Sequence, residues 1–233
     1  MKRSLHLSAL TVLAALVLAL MGPLVGTASA ADPATVTVTT PNTKYPAGVN
    51  AEVTITVANG GNGTLTVRAQ TADGKSYLLN CGAGGVNDAT QSCSVYMLFT
   101  TRVVATVTGG TNGDATASKK LQVYPTMATS PRSPRTYSGS TAVFQRGVEP
   151  LFSTSVYPAR KSMCIRHQVQ VRRAAGWATI VTGSCKQPDS EARVAWRWYG
   201  SHPVGYKFRV NATFAGDTLN GPGSGSWSYF YFK

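Results

Sequence analysis

Four cysteines carry the most definite chemistry in this 233-residue chain: Cys81, Cys93, Cys164 and Cys185. Four cysteines permit three pairings. Their gaps of 12, 71 and 21 residues favour local closure, Cys81–Cys93 and Cys164–Cys185, over a link across the long middle gap. A zinc centre is the other use of four thiolates, but the close C-x-x-C spacing of such sites is absent. Histidines and carboxylates offer less. Past residue 31 only His167, between Arg166 and Gln168, and His202, before Pro203, remain, and a catalytic or metal site needs convergent partners. Asp189 and Glu191, with Lys186 and Arg193 around them, and Asp217 in a Gly-Asp turn read as ionised turn acids, not as the paired carboxylates of a glycosidase. Asp73, Asp88 and Asp114 lack the dense oxygen-ligand spacing of a calcium loop, and no G-x-S-x-G elbow is present. The expectation is a non-enzyme: no catalytic residue, no metal and no cofactor.

Cations and rings are the remaining chemistry. Trp177, Trp196, Trp198 and Trp227 all lie in the second half, and most large aromatics there are expected to fill a core. Alternation in strands sorts the rest. With Ile165, Val169 and Val171 inward, Arg166, Gln168, Gln170 and Arg172 point outward. With Phe208 and Val210 inward, Lys207, Arg209 and Asn211 share that outer face. In the last run the Phe230 and Phe232 row suits the core, which leaves Trp227, Tyr229 and Tyr231 outside. The candidate polymer-binding residues are therefore Arg166, Arg172, Lys207, Arg209, Trp227, Tyr229 and Tyr231. Such a surface joins cations that neutralise phosphate or carboxylate to flat rings that stack on sugars or bases. The plainer interpretation is a polar sheet face with cross-strand cation–π pairs and no ligand.

The elements that must hold these residues are strands. Period-two runs at 35–39, 53–57, 64–67, 103–107 and 121–123 are separated by Asn59-Gly-Gly-Asn-Gly63, Asp73-Gly74, Gly109-Gly110 and Asn112-Gly113, which is turn chemistry. About seven short strands in this stretch is β-sandwich spacing. Three prolines in residues 124–135 predict an extended, semi-rigid linker. Seven more runs follow, at 141–145, 151–157, 164–173, 177–182, 192–198, 205–214 and 226–232. A faint repeat supports two similar halves: Val67-Arg68 and Cys81 recur 104 residues later as Val171-Arg172 and Cys185. The fold class is all-β, in two tandem sandwich domains at 31–123 and 136–233.

Lys2 and Arg3, the apolar run 10–20, Gly22-Pro23 and Ala28-Ser-Ala30 have the order of a cleaved secretory signal at 1–30. Those flanks favour a signal over a membrane anchor, so the mature chain is expected to be secreted, monomeric and without a membrane span. An oxidising destination agrees with disulfides. Only 13% of residues are charged, about half the usual share, which excludes a charge-driven disordered chain or a coiled coil. The charge is also uneven. Residues 31–125 hold six Lys/Arg against five Asp/Glu, whereas residues 126–233 hold fourteen against four. A basic exported half suits contact with an anionic polymer such as a cell-wall polymer or acidic polysaccharide, without specific nucleic-acid recognition.

The tract Tyr206-Lys-Phe-Arg-Val-Asn-Ala-Thr-Phe-Ala-Gly-Asp217, with Ser224 and Ser226 after it, resembles the penultimate strand and turn of bacterial Ig-like repeats. Tyr45-Pro-Ala-Gly48 and the 53–57 run resemble the same group in the first half. From about Thr35 onward the chain is similar to secreted actinobacterial proteins with Ig-like domains. The resemblance implies immunoglobulin-like sandwiches and a spacer, adhesive or cell-surface binding role. It supplies no catalytic residues, and the Cys164–Cys185 pair lies outside the common repeat pattern. The expected function is a secreted non-enzymatic binding or adhesive protein, its basic domain meeting an anionic polymer. The alternative is a carbohydrate-binding module that stacks surface aromatics on neutral glycans.

Overall fold

The computed structural model describes residues 32–233 apart from Ala83 and His202. The expected signal peptide at 1–30 lies outside the described residues, as does His202. The regular structure of the described residues is entirely β. The first half holds β1 (Thr35–Thr39), β2 (Lys44–Pro46), β3 (Val49–Ala58), β4 (Gly63–Thr71) and β5 (Ser76–Leu78). It continues with β6 (Gly85–Val86), β7 (Ala89–Met97), β8 (Thr101–Thr108) and β9 (Ala115–Tyr124). The second half opens with β10 (Thr126–Arg132), β11 (Thr136–Ser138), β12 (Thr141–Phe144), β13 (Leu151–Tyr157) and β14 (Ile165–Arg173). It ends with β15 (Gly176–Thr182), β16 (Arg193–Arg197), β17 (Lys207–Phe214), β18 (Gly223–Ser224) and β19 (Ser228–Phe232).

Each half is two sheets over its own core. In the first, β1-β3-β7 faces β2-β9-β8-β4-β5, with β6 on β4. In the second, β10-β13-β16 faces β11-β12-β19-β17-β14-β15, with β18 on β17. The cause is strict alternation. Ala51, Val53, Ile55 and Val57 of β3, and Leu65, Val67 and Ala69 of β4, are buried, while their neighbours in sequence face outward. The first core is mainly valine, alanine and leucine, with Ile55, Met97 and the Cys81–Cys93 pair, and Tyr45 is the one ring among its described residues. The second is aromatic: Phe230 is fully buried, with ring centroids 5.1 Å from Phe152 and 5.4 Å from Phe208. Phe144, Phe232, Trp196 and Trp198 complete it. In each half one early strand runs parallel to the last, β2 beside β9 and β12 beside β19.

Both disulfides pair locally as expected. Cys81 bonds Cys93 and Cys164 bonds Cys185, with Cα separations of 4.6 and 5.1 Å. Two disulfides fit an oxidising, extracellular setting, and no helix among the described residues is long and apolar enough to cross a membrane.

The linker at 124–135 requires correction. Residues 126–132 form β10, an edge strand paired antiparallel with β13 from Thr126↔Tyr157 to Arg132↔Leu151. Met127 and Thr129 point inward and are buried. Pro131 is tolerated because an edge strand has one row of backbone groups without a ladder to satisfy.

Only Pro125 separates β9 from β10, and the halves touch directly. The loop after β17 reaches back to the first half: Thr100 N donates to Leu219 O at 2.8 Å and Gly221 N to Val123 O at 2.7 Å. Asn220, 1% exposed, donates from Nδ2 to Leu98 O at 3.2 Å. Arg160 donates to Asn220 Oδ1 and Asp217 Oδ2, with its guanidinium over the Phe99 ring. Tyr96 and Tyr157 share a hydroxyl hydrogen bond of 2.9 Å across the junction.

Candidate functional site

β14, β17 and β19 lie side by side in one sheet, and their register assembles the candidate face. Gln170 is opposite Arg209, Arg209 opposite Tyr229, and Lys207 opposite Tyr231. The Phe row of β19 is buried, whereas Tyr229 is 40% exposed and Trp227 and Tyr231 are half-buried on the outer side. The alternation argument therefore sorts this strand correctly.

Arg209 sits at the centre. Its guanidinium carbon is 4.0 Å from the Trp227 ring centroid and 4.5 Å from that of Trp177. Nε and one terminal nitrogen both donate to Gln170 Oε1, at 2.8 and 2.6 Å. Two rings and one amide oxygen that accepts twice fix this side chain, each cation–π contact contributing roughly 0.5–2 kcal/mol. Cross-strand cation–π pairing is thus present, and Arg209 and Trp227 largely satisfy each other. Trp177 also lies 5.8 Å from the Arg172 guanidinium and 5.8 Å from the Tyr229 ring.

Beside this stack is a groove of about 620 Å³ lined by Arg172, Trp177, Lys207, Tyr229, Tyr231 and the polar Ser138 and Thr141. Four of the seven expected residues line it: Arg172, Lys207, Tyr229 and Tyr231. Arg209 and Trp227 form the adjacent stack. Arg166 is exposed on the same outer face but six residues from Arg172, about 20 Å along β14. Asn211, expected on the surface, is buried at 4% exposure with an unpartnered Oδ1. Tyr206, in phase with the inward Phe208 and Val210, precedes the first ladder pair of β17 and is 52% exposed.

Trp177 is the residue the sequence reading misplaced among core aromatics. Arg173↔Gly176 closes a two-residue turn at Ala174-Ala175, which sets Trp177 opposite Arg172 on the outer face. Gly176, at φ 126°, was the available signal for that turn.

No carboxylate lines the groove. The acids of the second half are engaged elsewhere. Glu149 meets Arg197 at 3.8 Å and Glu191 meets Arg193 at 3.3 Å. Asp189 Oδ1 accepts from the Glu191 and Arg193 amides at 2.9 Å each. Partial burial disfavours the Asp217 charge, but the amides of Asn220 and Leu219 and the Arg160 guanidinium outweigh it and hold the carboxyl below its usual range.

His167 belongs to the core. Nε2 is 2.7 Å from Thr154 Oγ1, which is 2.8 Å from Thr129 Oγ1, and the ring stacks on Trp196 at 5.2 Å. Burial lowers its pKa to about 4, so it is neutral at pH 7. No cluster of three or more metal-ligating side chains occurs among the described residues.

No protein-family model matches the sequence, and no curated protein matches it. Among solved structures, red sea bream transglutaminase is similar over 85% of this chain at 11% identity, with a TM-score of 0.34. The aligned region spans 31% of that structure.

Proposed function

We propose that the chain is an exported, non-enzymatic binding protein of two tandem immunoglobulin-like sandwiches, whose second domain holds an anionic polysaccharide on its outer sheet face. Support for the tandem arrangement is the repeated strand order: β1-β3-β7 corresponds to β10-β13-β16, and β2-β9-β8-β4-β5 to β12-β19-β17-β14-β15. The 104-residue recurrence in sequence falls on equivalent strands, with Arg68 in β4 and Arg172 in β14.

The observation that carries the ligand class is the groove itself. Arg172 and Lys207 supply two cations, Trp177, Tyr229 and Tyr231 supply ring surface, and no carboxylate opposes them. Aromatic faces take the apolar side of a sugar ring, while the cations take a carboxylate, sulfate or phosphodiester on it. Arg209 acts through Trp177, as a positioning residue that holds one groove wall upright.

The test is Arg172→Glu with Lys207→Glu, which reverses the groove's charge and leaves the Arg209 stack in place. Binding to a uronate-rich polysaccharide should weaken steeply from about 0.01 to about 0.15 M salt, as the screening length falls from about 30 to 8 Å, and should vanish in the double variant. Salt-insensitive binding retained by the variant moves the ligand to a neutral glycan held by the rings. Absence of binding to acidic and neutral polymers alike refutes the proposal.

A further inference from the structure

The two halves close their open sides differently. On one of its two open sides each sandwich ends at β5 and β7 in the first half and at β15 and β16 in the second. In the first half Cys81, beyond β5, is tied to Cys93 on β7, so the disulfide spans that side. In the second half Cys164 and Cys185 flank the Ile165↔Lys186 bridge within a single sheet. The bond reinforces the β14 edge and leaves the gap between β15 and β16 unspanned. A groove of about 870 Å³ lies there, lined by Ile180, Val181, Lys186, Trp196, Arg197 and Tyr199. It continues past Ile180 into a hollow of about 530 Å³ near Arg173 and Tyr206.

β15 is a long, uncharged edge. Its sequence Gly-Trp-Ala-Thr-Ile-Val-Thr has seven residues, no charge and no proline, whereas β5 has three residues. Edge strands are normally blunted by shortness, charge, proline or a bulge. β15 has only the bulge, opposite Val169/Gln170, and the bulged Ile180 is 41% exposed on the lining of both hollows. Tyr199 at 73% and Tyr206 at 52% add exposed ring surface. Lys186 and Arg173 stand at the two hollows, and neither is lined by a carboxylate.

We propose that this side binds an extended acidic peptide segment of a partner protein by strand addition to the free edge of β15. The unpaired backbone groups supply main-chain hydrogen bonds, Ile180, Tyr199 and Tyr206 seat alternate apolar side chains, and Lys186 and Arg173 select acidic ones. A seven-residue strand is about 23 Å long, which sets the length of the recognised segment. The two sites share β15, whose Trp177 lines the polysaccharide groove, but the peptide site uses the free backbone edge of that strand and Ile180.

The test pans a displayed library of random nine-residue peptides against the full chain, then measures an enriched synthetic peptide by hydrogen exchange. Enriched sequences should be acidic, and bound peptide should slow exchange of β15 amides about tenfold or more. Ile180→Lys, placing a charge on the edge, should abolish binding with the far-ultraviolet dichroism unchanged. Arg173→Glu with Lys186→Glu should shift enrichment to basic peptides, an independent readout if Ile180→Lys misfolds. Arg172→Glu with Lys207→Glu should retain full peptide binding, which separates this site from the groove. Enrichment no greater than on Ile180→Lys, protection outside β15, or β15 protection by concentration-dependent self-association without peptide would each overturn the proposal.

Discussion

Acidification from pH 7 to 5.5 should weaken the second half through His167. The residue is fully buried, its Nδ1 has no partner, and its contacts are Thr154 Oγ1 at 2.7 Å and the Trp196 ring. Burial holds its folded pKa at about 4, below the ordinary 6.5. The unfolded chain therefore takes up a proton that the folded chain refuses, so stability is complete above pH 6.5 and declines as pH falls toward 4. The linked loss is about 1 kcal/mol between pH 7 and 5.5, approaching about 3 kcal/mol at pH 4. All four tryptophans lie in the second half, so their fluorescence during urea unfolding reports on that half alone. The urea midpoint should fall between pH 7 and 5.5 in the parent. It should stay nearly constant in His167→Gln, which keeps a side chain able to bond Thr154 without an ionisable ring. A flat parent profile, or an equal slope in the variant, would refute the assignment of a buried neutral imidazole.

Arg160→Ala should uncouple the two halves, since it strips charge-assisted bonds from both Asn220 and Asp217. Calorimetry should show one transition splitting into two, with a loss of about 1–3 kcal/mol. Because the Asp217 carboxyl is held below its usual range, its contribution is complete above the unfolded value and lost as pH falls through the folded one. The junction should therefore loosen only at strongly acid pH, below the His167 window. Cys164→Ala with Cys185→Ala should lower stability of the second half by about 3 kcal/mol, as expected for a loop of 21 residues. Urea unfolding read by tryptophan fluorescence checks this.

Most of the fold was legible because alternation is a local signal. The faces of β14, β17 and β19 follow from which residues are apolar, and the cysteine pairs follow from their spacing. β10 was obscured because Pro131 within it and Pro125 and Pro134 around it outweigh an alternation that is present in Met127 and Thr129. A proline on an edge strand costs no ladder bond, and edge position is not visible in a single segment. Trp177 was misplaced for the opposite reason: a tryptophan reads as core until its hairpin register is known. Asn211 shows a further limit. Its alternation is outward, as expected, but burial on an outer face depends on what lies over it, which period two does not encode. The β15 groove was likewise invisible, because it arises where two sheets end beside each other, which no single segment encodes.

The parallel pairings at the sheet margins determine how the molecule carries load. Lys44, Tyr45 and Pro46 run beside Gln122, Val123 and Tyr124 in the same direction, and Ala142, Val143 and Phe144 run likewise beside Tyr231 and its neighbours Phe230 and Phe232. A pull on the two ends of either half draws such strands apart along their length, so the bonds of the patch are sheared together instead of unzipped in turn. Tension that has peeled β1 from β3, or β10 from β13, therefore meets a short latch whose own side chains, Tyr45 and Val123 in the first half and Phe144, Phe230 and Phe232 in the second, belong to the core.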